Sequence, residues 1–371
     1  MKHIKQYLFL LALLSTIHIA FGQSIDYTKA AAAINLLADS NKFSGVVLIA
    51  EKGKVKFKKA AGYINYAEQK KLTTSSIFEL ASVSKQFTAM TIMMLKEKGL
   101  LNYDDLVEKY ISIPYKGITI RQLLTHTSGL PDYQAMMDAH WDKSKVAGNE
   151  DIISYLNTYA PAKLFEPGTQ YLYSNTGYVL LASITEKVSG RDFVEFCTTE
   201  IFHKLVMSHT AIRSLKEKAA IKNFALGHVF VTEKQQYIRA DSFPSSNYTI
   251  WLGNRKGPGR ISSTVDDLLK WDQALYTNKL ISQTTLVDAF TPMALTNGSI
   301  SNYGFGWDLI PKENIVWHNG DNPGYKTIIM RFLNNRATLI ILCNNATSEF
   351  ENLTADLKKC ILTNSRELLT R

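Results

Sequence analysis

Ser82 and Lys85 lie three residues apart in Glu79-Leu-Ala-Ser-Val-Ser-Lys-Gln-Phe-Thr-Ala-Met90, at the start of a helical pattern that ends at Gly99. Residues three apart on a helix share a face, so the Lys85 side chain can reach Ser82 Oγ. A serine hydroxyl is a weak nucleophile until a base takes its proton. A lysine serves as that base only when burial or a neighbouring cation lowers its pKa. The start of a helix adds free backbone N–H groups and a positive dipole end, worth about 0.3–1 kcal/mol to a nearby negative charge. The pair predicts acyl transfer through Ser82. The spacing alone is equally compatible with an N-capping serine beside an exposed lysine, because it says nothing of burial.

Two further stretches carry groups that would complete such a site. In Glu166-Pro-Gly-Thr-Gln-Tyr-Leu-Tyr-Ser-Asn-Thr-Gly-Tyr178, a Pro-Gly turn precedes Tyr173-Ser174-Asn175, and a helical pattern follows to Gly190. The Tyr-x-Asn triplet recurs at Tyr63, Tyr155 and Tyr276, so its context distinguishes Tyr173. Val316-Trp-His-Asn-Gly-Asp321 reads as an edge strand and contains the only His-x-Gly of the chain. His126 invites a Ser-His triad, but no Gly-x-Ser-x-Gly elbow exists, and His126 reads better as a hydrogen-bonding group at a helix-end turn. His203 and His209 have no third ligand at metal spacing, and no metal or other cofactor is called for.

Together the three stretches resemble the S-x-x-K, Y-x-N and K-T-G motifs of serine β-lactamases and penicillin-binding proteins, in the same order. The likeness is greatest to class C β-lactamases and their esterase and D-amino-acid peptidase relatives. It extends through Ile118–Pro131, Ile201–Thr210 and Ile261–Trp271, covering about Phe43 to Asn345. The resemblance implies that Ser82 is acylated, with Lys85 and Tyr173 sharing general base and acid work. It also implies that Asn175 binds the acyl part of the substrate, and that the 318–321 strand, with His318 and Gly320, lines the site. The backbone N–H groups of Ser82 and Asp321 would form the oxyanion hole. One departure matters: His318 stands where the β-lactamases have lysine. A histidine, with an ordinary pKa of about 6.5, is mostly neutral at pH 7. Neutral imidazole suits hydrogen bonding to Tyr173 or to substrate, which favours an esterase or amidase over a β-lactamase or DD-carboxypeptidase. Arg260, in the altered Gly257-Pro-Gly-Arg260 segment, and Lys326 are the candidates to replace the missing cation. A receptor that binds cell-wall fragments without turnover is a third reading, which intact Ser82, Lys85 and Tyr173 disfavour.

The elements that must position these residues are legible in outline. A helix over Ile25–Ser40 and a hairpin, Gly45–Ala50 and Val55–Ala61 turned at Gly53, open the fold. Strands over Ile315–His318, Tyr325–Phe332 and Ala337–Cys343, then a helix over Glu351–Leu369, close it. Between them the pattern is mostly helical, with Ile118–Leu124, Asp151–Tyr159, Thr176–Val188 and Val265–Leu275 as the clearest segments. This predicts an α/β (α+β) fold: an antiparallel sheet, flanked by N- and C-terminal helices, drawn from residues 23–102 and 277–371. A mostly helical region, 103–276, is inserted into it, and the site should lie in the cleft between the two parts.

Composition sets the setting. With 371 residues, 46% hydrophobic and 20% charged, the chain can bury a large core, which excludes disordered and fibrous classes. Residues 1–22 have a basic start, an apolar run and Ala20-Phe21-Gly22, the pattern of a cleaved signal peptide. Export to the periplasm or exterior is expected, with no stable membrane insertion after cleavage. The net charge of +9 falls to +7 without Lys2 and Lys5. No stripe of Arg and Lys interleaved with aromatics appears, so the expected partner is a small-molecule or peptide substrate rather than nucleic acid. Cys197, Cys343 and Cys360 lack metal-ligand spacing and read as buried thiols.

Overall fold

A computed structural model describes residues 27–369; the expected signal segment lies outside them. Six antiparallel strands form the main sheet: β1 (Gly45–Glu51), β2 (Lys54–Ala61), β3 (Asp308–Ile310), β4 (Ile315–Asn322), β5 (Tyr325–Phe332) and β6 (Ala337–Cys343). Their order across the sheet is β3-β4-β5-β6-β1-β2, so the two ends of the chain meet where β1 pairs with β6, Gly45 opposite Cys343.

The apolar runs of β1, β5 and β6 are nearly continuous because both faces of the sheet are covered. Val46, Leu48, Ile329, Ile340 and Leu342 face one hydrophobic cluster, which includes residues of the helices α2 (Lys85–Glu97), α3 (Asn175–Ser189) and α4 (Val265–Ala274). Their sequence neighbours Val47, Ile49, Ile328, Leu339 and Ile341 point the other way, against α1 (Thr28–Asp39) and α5 (Phe350–Leu369). Each fully buried aliphatic side chain contributes about 1.5–3 kcal/mol before chain entropy is counted. Arg331 of β5 and Asp272 of α4 form an ion pair of 2.6 Å, exposed by only 1% and 0%, and Thr338 Oγ1 donates to the second Asp272 oxygen. That pairing fixes α4 on the sheet, and breaking it on one side would strand a buried charge.

Apart from β3, which the sequence did not announce and which takes the sheet edge beside Ile315–Trp317 of the strand read as an edge, the strands and long helices lie where the hydrophobic periods place them. The intervening region is less helical than its sequence suggests. A hairpin of His228–Val231 with Gln236–Arg239 lies within it. So does Ile261–Ser263, which pairs with Phe78–Glu79 on one side and Ala211–Ile212 on the other. These strands are two to four residues long, too short for a period of two to register against helical surroundings.

Candidate active site

The turn carrying Ser82 is held from three sides. Leu80 N donates to Ile261 O at 2.9 Å, Thr327 Oγ1 of β5 donates to Leu80 O at 2.8 Å, and Ile261 N donates to Ser84 Oγ at 3.2 Å. Ala81 has φ +48°, a left-handed conformation costly for a residue with a Cβ, kept in place by these bonds. A short 3₁₀ turn over Ala81–Ser84 then runs into α2, whose first residue is Lys85.

Gly320 of β4 is the reason the sheet can approach this turn. A Cβ there would lie 2.2 Å from Leu80 O, 2.3 Å from Thr327 Oγ1 and 3.0 Å from Ala81 Cβ. Gly320→Ala is therefore expected to force β4 away from the Ser82 turn, lowering stability by about 2–4 kcal/mol and activity with it. Denaturant unfolding together with hydrolysis rates checks both effects.

Lys85 is fully buried, and its amine is the hub of the site. Nζ lies 3.0 Å from Ser82 Oγ, 2.9 Å from Asn175 Oδ1 and 3.0 Å from Pro258 O. None of these partners is a carboxylate. Burial, and then the Arg255 guanidinium, hold the Lys85 pKa well below its ordinary value, with Asp132 opposing weakly. Asn175, the first residue of α3, is oriented by Asp132, whose Oδ2 accepts from both Asn175 N and Nδ2 at 3.1 Å. The other Asp132 oxygen caps the helix Tyr133–His140.

Tyr173 is half-buried beside this pair, with its hydroxyl oxygen sealed from solvent. Lys85 Nζ stands 4.7 Å from the centre of its ring, and Tyr173 Oη makes no hydrogen bond of good geometry among the described residues. Burial raises its pKa well above the usual phenol value, and the nearby Ser82 hydroxyl is what chiefly opposes that rise. His126 supports it: its ring lies 4.2 Å from the Tyr173 ring and its Nδ1 accepts from Ser174 N at 3.2 Å. His126 thus fixes the chain on which Tyr173 sits, with φ +56° and an imidazole that burial keeps neutral.

His318 is bonded to a different tyrosine from the one the sequence suggested. It is only 1% exposed, with Nε2 2.8 Å from Tyr303 Oη and Nδ1 against the Asn319 carbonyl. Its ring centre is 6.2 Å from that of Tyr173, and burial lowers its pKa to about 3. The imidazole is bonded to Tyr303 rather than to Tyr173; alternate residues of β4 face opposite sides, and His318 shares with Gly320 the one that meets the Ser82 turn. Lys326, a candidate for the missing cation, is engaged elsewhere: its amine contacts Glu351 and lies 3.8 Å from Asp321.

The open part of the site is a cleft of about 270 Å³, whose walls include Ser82, Asp132, Asn175, Arg255, Arg260 and Asp321. Asp132 and Arg255 escaped the sequence reading. Pro131-Asp132 reads as a helix-capping turn and Arg255 as one more basic residue in a loop, and neither has a spacing relation to Ser82. Arg260 was the better of the two cation candidates, since it does reach the cleft.

One further carboxyl in this region titrates abnormally. Asp308 of β3 lies among Tyr171, Tyr173, Tyr178 and Tyr303, and desolvation raises its pKa to about 6. A raised carboxyl pKa means stability that is full below the unfolded value and lost as pH climbs through 6. Asp308→Asn should accordingly be more stable than the parent by about 1–2 kcal/mol at pH 8, a discounted figure for a partly exposed group, and show little difference at pH 4. Unfolding curves at the two pH values test this.

The beta-lactamase family profile matches residues 30–362, nearly the whole described chain. The chain belongs to the beta-lactamase family. Penicillin-binding protein 4* of Bacillus subtilis (strain 168) is 42% identical over 313 residues, covering 83% of this chain and 69% of that protein. The structure of the octameric penicillin-binding protein homologue from Pyrococcus abyssi is similar with a TM-score of 0.75 and 27% identity, over 86% of this chain and 74% of that one. At 24% identity, the D-amino acid amidase of Ochrobactrum anthropi SV3 shares the fold, with a TM-score of 0.73 over 91% of this chain and all of that one. This beta-lactamase-family protein is therefore a serine hydrolase in kind. Among its described residues, no helix is long and apolar enough to cross a membrane.

Proposed function

We propose that the protein hydrolyses an ester or a small amide or peptide bond through an acyl-enzyme on Ser82. The observation that carries this reading is a buried amine, Lys85 Nζ, 3.0 Å from Ser82 Oγ and bonded to no carboxylate. Desolvation and Arg255 favour its neutral form, which can accept the Ser82 proton as Oγ attacks the acyl carbon. Tyr173, whose phenol resists ionisation, acts as a proton relay to the leaving group rather than as a resident phenolate. This assigns the base to Lys85. Asn175, locked by Asp132 and Lys85, presents its amide to the acyl part of the substrate. The backbone N–H groups of Ser82 and Asp321 receive the oxyanion; losing one such donor typically costs about 3 kcal/mol. Water then hydrolyses the acyl-enzyme. The address of the protein in this reading is outside the cytoplasm.

A fluorophosphonate or β-lactam probe should leave a single adduct on Ser82 by mass spectrometry, absent in Ser82→Ala. No adduct from any probe, with activity retained in Ser82→Ala, would falsify the reading. The pH profile supplies an independent check. Because the Lys85 pKa is depressed, its neutral form persists well below pH 10.5 and is lost only as pH falls through the depressed value. A single acid limb in kcat/KM is expected, and Arg255→Gln, by removing a cation that disfavours protonation, should move that limb to higher pH.

A second reading, acylation by β-lactams or cleavage of D-amino-acid peptides, gains support from the 42% identical penicillin-binding protein. In this reading Arg255 and Arg260, which line the cleft, supply the positive charge that a neutral His318 does not. Rates on nitrocefin and D-alanyl-D-alanine peptides, compared with p-nitrophenyl esters, separate the two.

A further inference from the structure

A second, larger cavity of about 580 Å³ adjoins the catalytic cleft, and Arg255, Arg260 and Asn322 belong to the walls of both. Two ion pairs in its lining, Glu79 with Lys218 and Arg239 with Asp241, neutralise themselves. The two arginines at the junction do not. Arg255 donates to Tyr133 Oη, and its Nε is buried with no partner among the described residues. Arg260, 6% exposed, donates to the carbonyls of Thr249 and Arg213. Neither guanidinium is ion-paired within the described chain. Asp132 acts on Arg255, and Glu79 on Arg260, only from beyond ion-pair distance, and those carboxylates are bonded to Asn175 and Lys218; a guanidinium matches a carboxylate with two parallel hydrogen bonds. Lys222, exposed on the rim of the same cavity, adds to the positive field there.

We propose that this cavity is a subsite for the remote end of an extended substrate, and that it takes a carboxylate, drawn to the junction by Arg255 and Arg260. The scissile carbonyl sits at Ser82, and the chain of the substrate passes the two arginines into the larger space. The inference rests on the acyl-enzyme reading for the position of the scissile bond, but the subsite itself is a matter of binding.

The test uses matched p-nitrophenyl esters of D-phenylalanine capped with glutaryl or with its neutral 4-carbamoylbutanoyl analogue, and a second pair with the same caps on the leaving group. In at least one pair the acid should exceed the amide in kcat/KM by about tenfold or more at low salt, with the advantage shrinking as ionic strength rises. Arg255→Gln should bring that ratio close to one, whatever it does to both rates through Lys85. Lys222→Glu, at an exposed position, should lower the ratio by about two- to fivefold without threatening the fold. Equal rates for acid and amide in both pairs, or a ratio unchanged in the two variants, overturn the subsite. Calorimetric binding of the two glutaryl and carbamoyl acids to Ser82→Ala reads the same preference without turnover. Failure of hydrolysis therefore removes the catalytic reading alone, and loss of the binding preference removes the subsite alone.

Discussion

Ser82→Ala is expected to lower kcat/KM by at least about 10⁴-fold on every substrate the protein accepts, a loss in the range found when a serine nucleophile is removed. The loss should be selective. Ser82 is half-buried in a turn held by bonds that its hydroxyl does not make, those of Leu80, Ser84 and Thr327. Deleting the hydroxyl removes one contact to Lys85 Nζ and leaves the other two. The thermal midpoint should accordingly move by no more than about 2–4 °C, equivalent to roughly 1 kcal/mol for a protein of this size. Steady-state kinetics with a thermal melt on the same preparation checks both halves. A variant that retained wild-type turnover would remove Ser82 from the mechanism.

Lys85→Met should be nearly as damaging, about 10³-fold or more in kcat, for a different reason. The methionine is close in length and fills the apolar space, but no other group can accept the Ser82 proton. His126 and His318 are both held neutral by burial, but neither is hydrogen-bonded to Ser82: the first accepts from Ser174 N and the second is bonded to Tyr303 and the Asn319 carbonyl. Tyr173 would have to ionise against a strongly raised pKa. Tyr173→Phe should therefore cost less, about 10–10²-fold, consistent with a relay. The acid limb of the pH profile provides the discriminating signature. It should vanish from the residual activity of Lys85→Met and persist in Tyr173→Phe. If the limb disappeared instead from the tyrosine variant, the base would be Tyr173.

The acid–base assignment illustrates what burial adds to a motif. Ser-x-x-Lys brings the two side chains to one face of a helix start by local geometry, and that much follows from spacing. Whether the lysine is charged depends on what covers it. Asn175, from α3, and Pro258 and Arg255, from a segment far away along the chain, provide the cover and the cation. No periodicity links those segments to Ser82, so the pKa of Lys85 was beyond reach of the local pattern. His318 shows the converse. Its place in the third motif was readable, but its side-chain direction depended on the register of β4 against β5, where His318 faces Ile329 and Gly320 faces Thr327. The structure bonds that imidazole to Tyr303 rather than to Tyr173, a partner that residue spacing does not announce.

The amino-acid sequence by itself determined the Ser82–Lys85 pair at a helix start, the Tyr173–Asn175 turn, the strands that close the sheet and the kind of chemistry. These rest on interactions between residues close in the chain, or on hydrophobic periods that announce which face is buried. Only the tertiary structure decided that Lys85 is sealed from water and that Asp132 sets Asn175. It also bonded His318 to Tyr303 and left Arg255 and Arg260 outside any ion pair among the described residues, where two cavities share their walls. Those properties depend on desolvation and on Coulomb interactions between distant segments. Both are set by how the chain packs in three dimensions and leave no trace in residue spacing.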